Sequence, residues 1–207
     1  MMTRSPSWFR AALGAAIAVV ALAADAPARP KTSDLLEISN LEDRRSLGDG
    51  RLAELLRSDD ADTRAAAARA MGRNGYEESV ADLLRALDDS DENVRLETLF
   101  ALGQIGQVDA RDALSRVAAS NAGTEERREA VLALGKLGGD GAGEAVLPFL
   151  TDPVAEVRAD AAIALARTGD SLAATDLRPL LGDEETAVRI ASAWAAGRLK
   201  ARSLLPE

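Results

Sequence analysis

The sequence contains no cysteine and no histidine, and aromatic residues fill only 3% of its 207 positions. Those absences remove disulfides, thiol catalysis, Cys/His zinc sites, haem ligation by histidine and Ser-His-Asp hydrolysis. No cofactor and no metal is expected, and the chain does not read as an enzyme. Cations are in the minority as well: 25 Lys+Arg stand against 34 Asp+Glu, a formal charge of −9. Nucleic-acid binding draws its affinity from clustered cations that release counterions, so no nucleic-acid partner is expected. A polybasic face for a membrane surface is wanting for the same reason.

Long hydrophobic runs are scarce too. The run Ala11 to Ala24 (AALGAAIAVVALAA) has 14 residues, short of the ~20 that a membrane-spanning helix needs. It follows Arg4 and Arg10 and ends in Ala21-Leu22-Ala23, a small-x-small pattern, so residues 1–24 read as a signal peptide. Cleavage after Ala23 or Ala24 removes two arginines and no acid, leaving a charge of −11. The expected destination is the periplasm or the cell exterior, with no stable membrane insertion after cleavage; an uncleaved N-terminal anchor is the alternative. Without disulfides, an exported chain depends on its apolar core alone. Residues 25–32, with Pro27 and Pro30, read as a linker, because proline fixes φ and biases its predecessor away from helix.

Alanine and leucine dominate what is present, and both enter helices at little cost. The body of the chain repeats. Arg64, Arg95, Arg127, Arg158 and Arg189 recur every 31 or 32 residues. Counting from each arginine, the sixth position before it reads Ser58, Asp89, Asn121, Asp152, Asp183. The sixth after it reads Ala70, Ala101, Ala133, Ala164, Ala195, and the eighth Gly72, Gly103, Gly135, Ala166, Gly197. Each unit holds two apolar stripes at helical spacing, joined by an acidic turn rich in helix-capping residues. The second helix closes in Gly-x-x-Gly (Gly72/Gly75, Gly103/Gly106, Gly135/Gly138), suited to a left-handed C-terminal residue. Two short helices cannot bury their own apolar faces, whereas stacked pairs can. The expected fold is therefore an all-α, right-handed solenoid of about five repeats, near 51–79, 80–110, 111–143, 144–174 and 175–202. Residues 33–50, with Leu35, Leu36, Ile38 and Leu41, supply an N-terminal capping helix, and the repeat domain runs over 51–207. Pro148 and Pro179 predict first helices that start late, near 145 and 176. Repeat three carries an extra residue and ends in a glycine-rich joint, 138–143.

The stretches DDSDENVRLETLFALGQIG and TDPVAEVRADAAIALARTG resemble HEAT repeats of the short type found in phycobilisome-lyase-like proteins. The resemblance covers about 51–202. It implies a ladder of hydrogen bonds between neighbouring repeats, made by an Asp and the Arg six residues later. Asp89/Arg95, Asp152/Arg158 and Asp183/Arg189 match that pattern, whereas Ser58/Arg64 and Asn121/Arg127 depart from it, so the ladder should weaken at repeats one and three.

Other motifs give way to plainer readings. Leu134-Gly135-Lys136 lacks the strand and upstream glycine of a phosphate loop. The glycines of 138–143 lack a dinucleotide fingerprint's setting. The acidic turns lack the length and final Glu of a calcium loop, so capping accounts for them. On the second helix, the face opposite the core stripe holds an apolar ridge of Phe100, Leu132, Ile163 and Trp194, with Leu96 and Ile190 beside it. A basic row of Lys136, Arg167 and Arg198 flanks it. The family resemblance implies that this helix lines the concave face. Aromatic and arginine groups on exposed apolar surface suit protein binding. The ridge is therefore either a binding site or packing between repeats. The expected partner is a protein or peptide segment with apolar anchors and some acidic character, bound by a monomeric or weakly self-associating scaffold. Two alternatives stay open: a chromophore lyase or isomerase, on the family resemblance, and a self-assembling structural element built on the C-terminal repeat.

Overall fold

The computed structural model describes residues 32–170 and 173–199. The leader, nearly all of the linker and the Leu204-Leu205 terminus lie outside the described residues. Among the described residues the elements are all helical, α-helix or 3₁₀ turn. Helix α1 (Thr32–Asp43) precedes the repeats. Repeat one comprises α2 (Arg51–Leu55) and α3 (Ala61–Asn74). Repeat two comprises α4 (Val80–Ala86) and α5 (Glu92–Ile105), and repeat three α6 (Arg111–Ala118) and α7 (Thr124–Leu137). Repeat four follows with α8 (Ala142–Val146) and α9 (Ala155–Thr168), and repeat five ends in α10 (Thr186–Arg198).

The prolines act differently from the expectation of a late start. In repeat four the first helix begins at Ala142 and passes into a 3₁₀ segment, Leu147–Thr151, at Pro148. In repeat five the first arm is two 3₁₀ segments, Ala173–Leu177 and Pro179–Gly182. Proline offers no N–H and its ring collides with the carbonyl four residues back, so an α-helix cannot run through it. The chain starts a new, tighter turn at each proline instead.

Local chemistry sets the second helices. Asp60 caps α3 by accepting from the Thr63 N–H at 2.7 Å, and Asp91 caps α5 through the Asn93 and Val94 N–H groups. Gly75 and Gly106 close those helices at φ 73° and 76°, where a Cβ would be strained. Leu52, Leu83 and Leu114 from first helices meet Leu99, Leu102, Leu134 and Leu165 from second helices in one fully buried core. Helix α1 covers the open end of repeat one with Ile38. Arg51 joins Glu37 at 3.0 Å, and the Asn74 amide donates to the Ser46 carbonyl at 3.1 Å.

Successive second helices pack along one another, whereas the first helices of repeats one to three scarcely meet. The closer layer lies on the inside of the curve, so the second helices form the inner surface of the α-solenoid. Their approach runs through the glycine and alanine columns. A Cβ built on Gly72 would fall 2.5 Å from the Ala101 Cα; on Gly103, 2.9 Å from that of Ala133; on Gly135, 2.6 Å from that of Ala164. The glycine eight after Arg64, Arg95 and Arg127 is thus a contact point inside the helix rather than a helix end. Gly197, its counterpart in repeat five, meets nothing within 4 Å.

Gly135→Ala is expected to cost about 1–3 kcal/mol by overpacking backbone that cannot yield. Gly197→Ala should leave stability unchanged or raise it by up to ~1 kcal/mol, from helix propensity alone. Thermal unfolding followed by circular dichroism compares the two.

Candidate functional site

Each of the arginines of repeats one to four is held at both ends. Its guanidinium donates back to a backbone carbonyl of its own repeat: Arg64 to Ser58 at 2.8 Å, Arg95 to Asp89 at 2.7 Å, Arg158 to Asp152 at 2.8 Å. Its other edge reaches a carboxylate of the next repeat. Arg64 grips Asp89 at 2.7 and 2.9 Å, Arg158 grips Asp183 at 2.9 Å, and Arg127 pairs with Asp152. The aspartate side chains also accept the N–H two residues on, as Asp89 does from Asp91 and Asp183 from Glu185, both at 2.9 Å. One carboxylate therefore shapes its own turn and ties the preceding repeat. The guanidinium of Arg64 holds Asp89 below the usual carboxylate range, and that of Arg158 does the same to Asp183.

The ladder departs from the expected weakness at repeats one and three. Ser58 has no preceding repeat arginine to answer, so a hydroxyl that accepts the Asp60 N–H suffices. At repeat three the buried Glu126 replaces the missing aspartate and takes Arg95 at 2.7 Å. The extra residue there moves the rung from Asn121 to the glutamate beside Arg127. Arg189 makes the same backward contacts, to the Asp183 and Glu184 carbonyls at 2.7 and 2.9 Å.

On the inner surface, the predicted ridge is interrupted by charges from neighbouring repeats. Leu96, Phe100, Leu132 and Ile163 are half-buried, and Ile163 packs against the core. Lys136, reaching back from the next repeat, places Nζ 4.8 Å from the centre of the Phe100 ring, within cation–π range. Ile190 and Trp194 are exposed, with the Arg198 guanidinium 5.8 Å from the Trp194 ring. Arg167 and Arg198 face solvent, as does Arg73 in the same column of repeat one.

Between the second helices of repeats one to three lies an open depression of about 370 Å³, lined by Arg69, Arg73, Leu96, Glu97, Phe100 and Glu129. Arg69 pairs with Glu97 across the α3–α5 seam, and Arg73 pairs with Glu42 of α1. Arg128 reaches Asp160 at 2.7 Å across the α7–α9 seam, two seams later. The column two after each arginine, Glu97, Glu129 and Asp160, is thus a row of carboxylates absent from the sequence-based expectation. Its signal was legible as three acids in register on the face next to the ridge. Glu129 differs from its two neighbours. Its buried Oε1 accepts no hydrogen bond, and the nearest cation is Lys136 Nζ at 3.8 Å. Burial pushes the Glu129 carboxyl above the usual glutamate range and the Lys136 ammonium below the usual lysine range. Among the described residues no group of three or more acids could hold a metal ion, and no helix is long and apolar enough to cross a membrane.

The profile of HEAT repeats matches residues 49–135 and 143–206. The chain is a HEAT-repeat protein. Among solved structures it is similar to one in the complex of CpcE and CpcF of phycocyanin lyase from Nostoc sp. PCC7120. There the identity is 25%, the TM-score 0.60, and the match covers 70% of this chain and 95% of the other. The archaeal HEAT-like repeats protein from Thermococcus onnurineus NA1 matches at 18% identity and TM-score 0.56, covering 86% and 79%. A designed armadillo repeat protein in complex with the peptide (KR)4 matches at 20% and 0.54, covering 78% and 85%. No curated protein matches the sequence. The last two likenesses show the fold, a HEAT-type α-solenoid.

Three outcomes follow from this geometry. Asn121→Asp, which restores the family pattern, should leave the melting temperature unchanged because Arg95 is already answered. Glu126→Gln should lower it by weakening a largely buried, charge-assisted pair. Glu129 titrates with the opposite sign from Asp89. Its raised folded-state pKa means that ionisation costs stability once pH rises above the ordinary glutamate range. Glu129→Gln should therefore raise the melting temperature at neutral pH, with the gain vanishing in acid below that range.

Proposed function

We propose that this protein is an exported, non-catalytic scaffold that binds a protein or peptide segment on its inner surface. The observation that carries the reading is the depression at Phe100 and Leu96, an apolar floor between paired charges, beside exposed cations. Arg73, Arg167 and Arg198 stand in solvent along the same edge. A helix or extended segment would seat an apolar side chain against Leu96 and Phe100, and its carboxylates would meet the outer arginines. Leu132, Lys136 and Ile163 would extend that track toward Ile190 and Trp194. The repeat arginines Arg95, Arg158 and Arg189 and the aspartates Asp89, Asp152 and Asp183 hold the scaffold and do not touch the ligand. The similar chain in the complex of CpcE and CpcF is bound to another protein, which supports the reading. The same likeness, to a phycocyanin lyase, favours a chromophore lyase as the second reading; an absorbance change on adding a bilin would decide for it.

The test compares proteins captured from the cell envelope by the wild-type chain and by Phe100→Glu. Circular dichroism establishes that both are equally helical. Specific proteins lost only from the variant support the inner-surface site, and identical captures contradict it. Export is checked on the same material: protein recovered from the producing cell should begin at Ala24 or Asp25, and an intact Met1 would contradict cleavage.

A further inference from the structure

We propose that the C-terminal end of the stack is a self-association face, on which helix α10 pairs antiparallel with α10 of a second copy. Its exposed residues include Ala187, Ile190, Trp194 and Gly197, with Ile190 at 65% and Trp194 at 49%. Their spacing of three, four and three residues is that of a helix–helix seam. The same register positions in repeat two are Asn93, Leu96, Phe100 and Gly103, of which Phe100 lies under Lys136 and Gly103 against Ala133, both of α7. In α10, among the described residues, no helix follows to cover them. Gly197 has open space where Gly72, Gly103 and Gly135 each touch an alanine backbone. Arg189 keeps its backward clamp, but no carboxylate among the described residues grips its outer edge.

The identity of the occupant follows from the symmetry of the seam. Reversing the helix about Ser192 exchanges Ala187 with Gly197 and Ile190 with Trp194, so the face is complementary to itself. Small residues meet small ones and the two large apolar groups meet each other, as a two-fold interface requires. Charges agree with that reversal. Glu184 and Glu185 are exposed at the N-terminal end of α10 and Arg198 at its C-terminal end, so each copy's acids come beside the other's arginine. Antiparallel dipoles add to the attraction. A parallel copy would set acids against acids. A single helix of 13 residues buries less than the ~1,200 Å² of a standard interface, so the dimer is weak and concentration-dependent.

Sedimentation equilibrium of the full chain should shift from monomer to dimer mass between micromolar and several hundred micromolar protein. Ile190→Glu and Trp194→Glu should lose that shift while keeping their helical circular dichroism. Phe100→Glu should keep it, which separates this face from the proposed ligand depression. The chain has no cysteine, so single Ala187→Cys and Gly197→Cys variants fix the orientation. An equimolar mixture should oxidise to the mixed disulfide faster than either variant couples to itself. A wild type that stays monomeric, a dimer that survives both glutamate substitutions, or faster self-coupling of Ala187→Cys would each overturn the proposal.

Discussion

Everything else in this molecule depends on how closely its second helices approach one another. Gly72, Gly103 and Gly135 lie on the backbones of Ala101, Ala133 and Ala164 so closely that a methyl group does not fit between them. That contact sets the spacing of the inner layer. It also fixes which side chains reach across each seam: the repeat arginines to the next repeat's carboxylates on one flank, Arg69 and Arg128 to Glu97 and Asp160 on the other. The fourth seam, where Ala166 stands in the glycine's place, uses the smallest side chain that carries a Cβ. A repeat protein of this kind has no single centre. Its stability is a sum of similar interfaces, each dependent on its neighbours.

The ladder arginines show how little of such an interface needs to be conserved residue for residue. The constraint is a buried or half-buried carboxylate within reach of the guanidinium, not an aspartate at a given place. Asp89, Asp152 and Asp183 meet it from the turn, and Glu126 meets it from the first turn of the helix. Leaving the guanidinium unanswered in that partly buried site would cost more than the pair itself contributes. On the inner surface the same logic produces Glu129, a carboxylate beside a lysine that is close but not hydrogen-bonded. Burial disfavours the charge on both.

Much of the architecture was legible in the sequence because periodicity records burial directly. The arginine columns, the alanine column and the paired apolar stripes specify two helices per repeat, and the resemblance to HEAT repeats implies the inner layer of second helices. Other features were hidden for physical reasons. Gly72, Gly103 and Gly135 lie three residues before glycines that do close helices, so both look like helix ends; only the alanine six after the next arginine reveals a close contact. Pro148 fits the first turn of an α-helix as well as it fits the start of a 3₁₀ turn, and the local sequence does not separate the two. Lys136 joins the basic row in a linear alignment, yet in space it bends back over Phe100. The acids Glu97, Glu129 and Asp160 stood in register but beside the ridge, and a search for an apolar stripe passes over them.

One interface is used four times, and among the described residues no helix covers α10. Native-state hydrogen exchange measured helix by helix tests that most directly, because protection follows the cost of opening each segment. At a dilution that keeps the chain monomeric, α5 and α7, flanked on both sides, should exchange slowest, and α10 fastest among the second helices. Equal protection of α10 and α7 under those conditions would contradict the account.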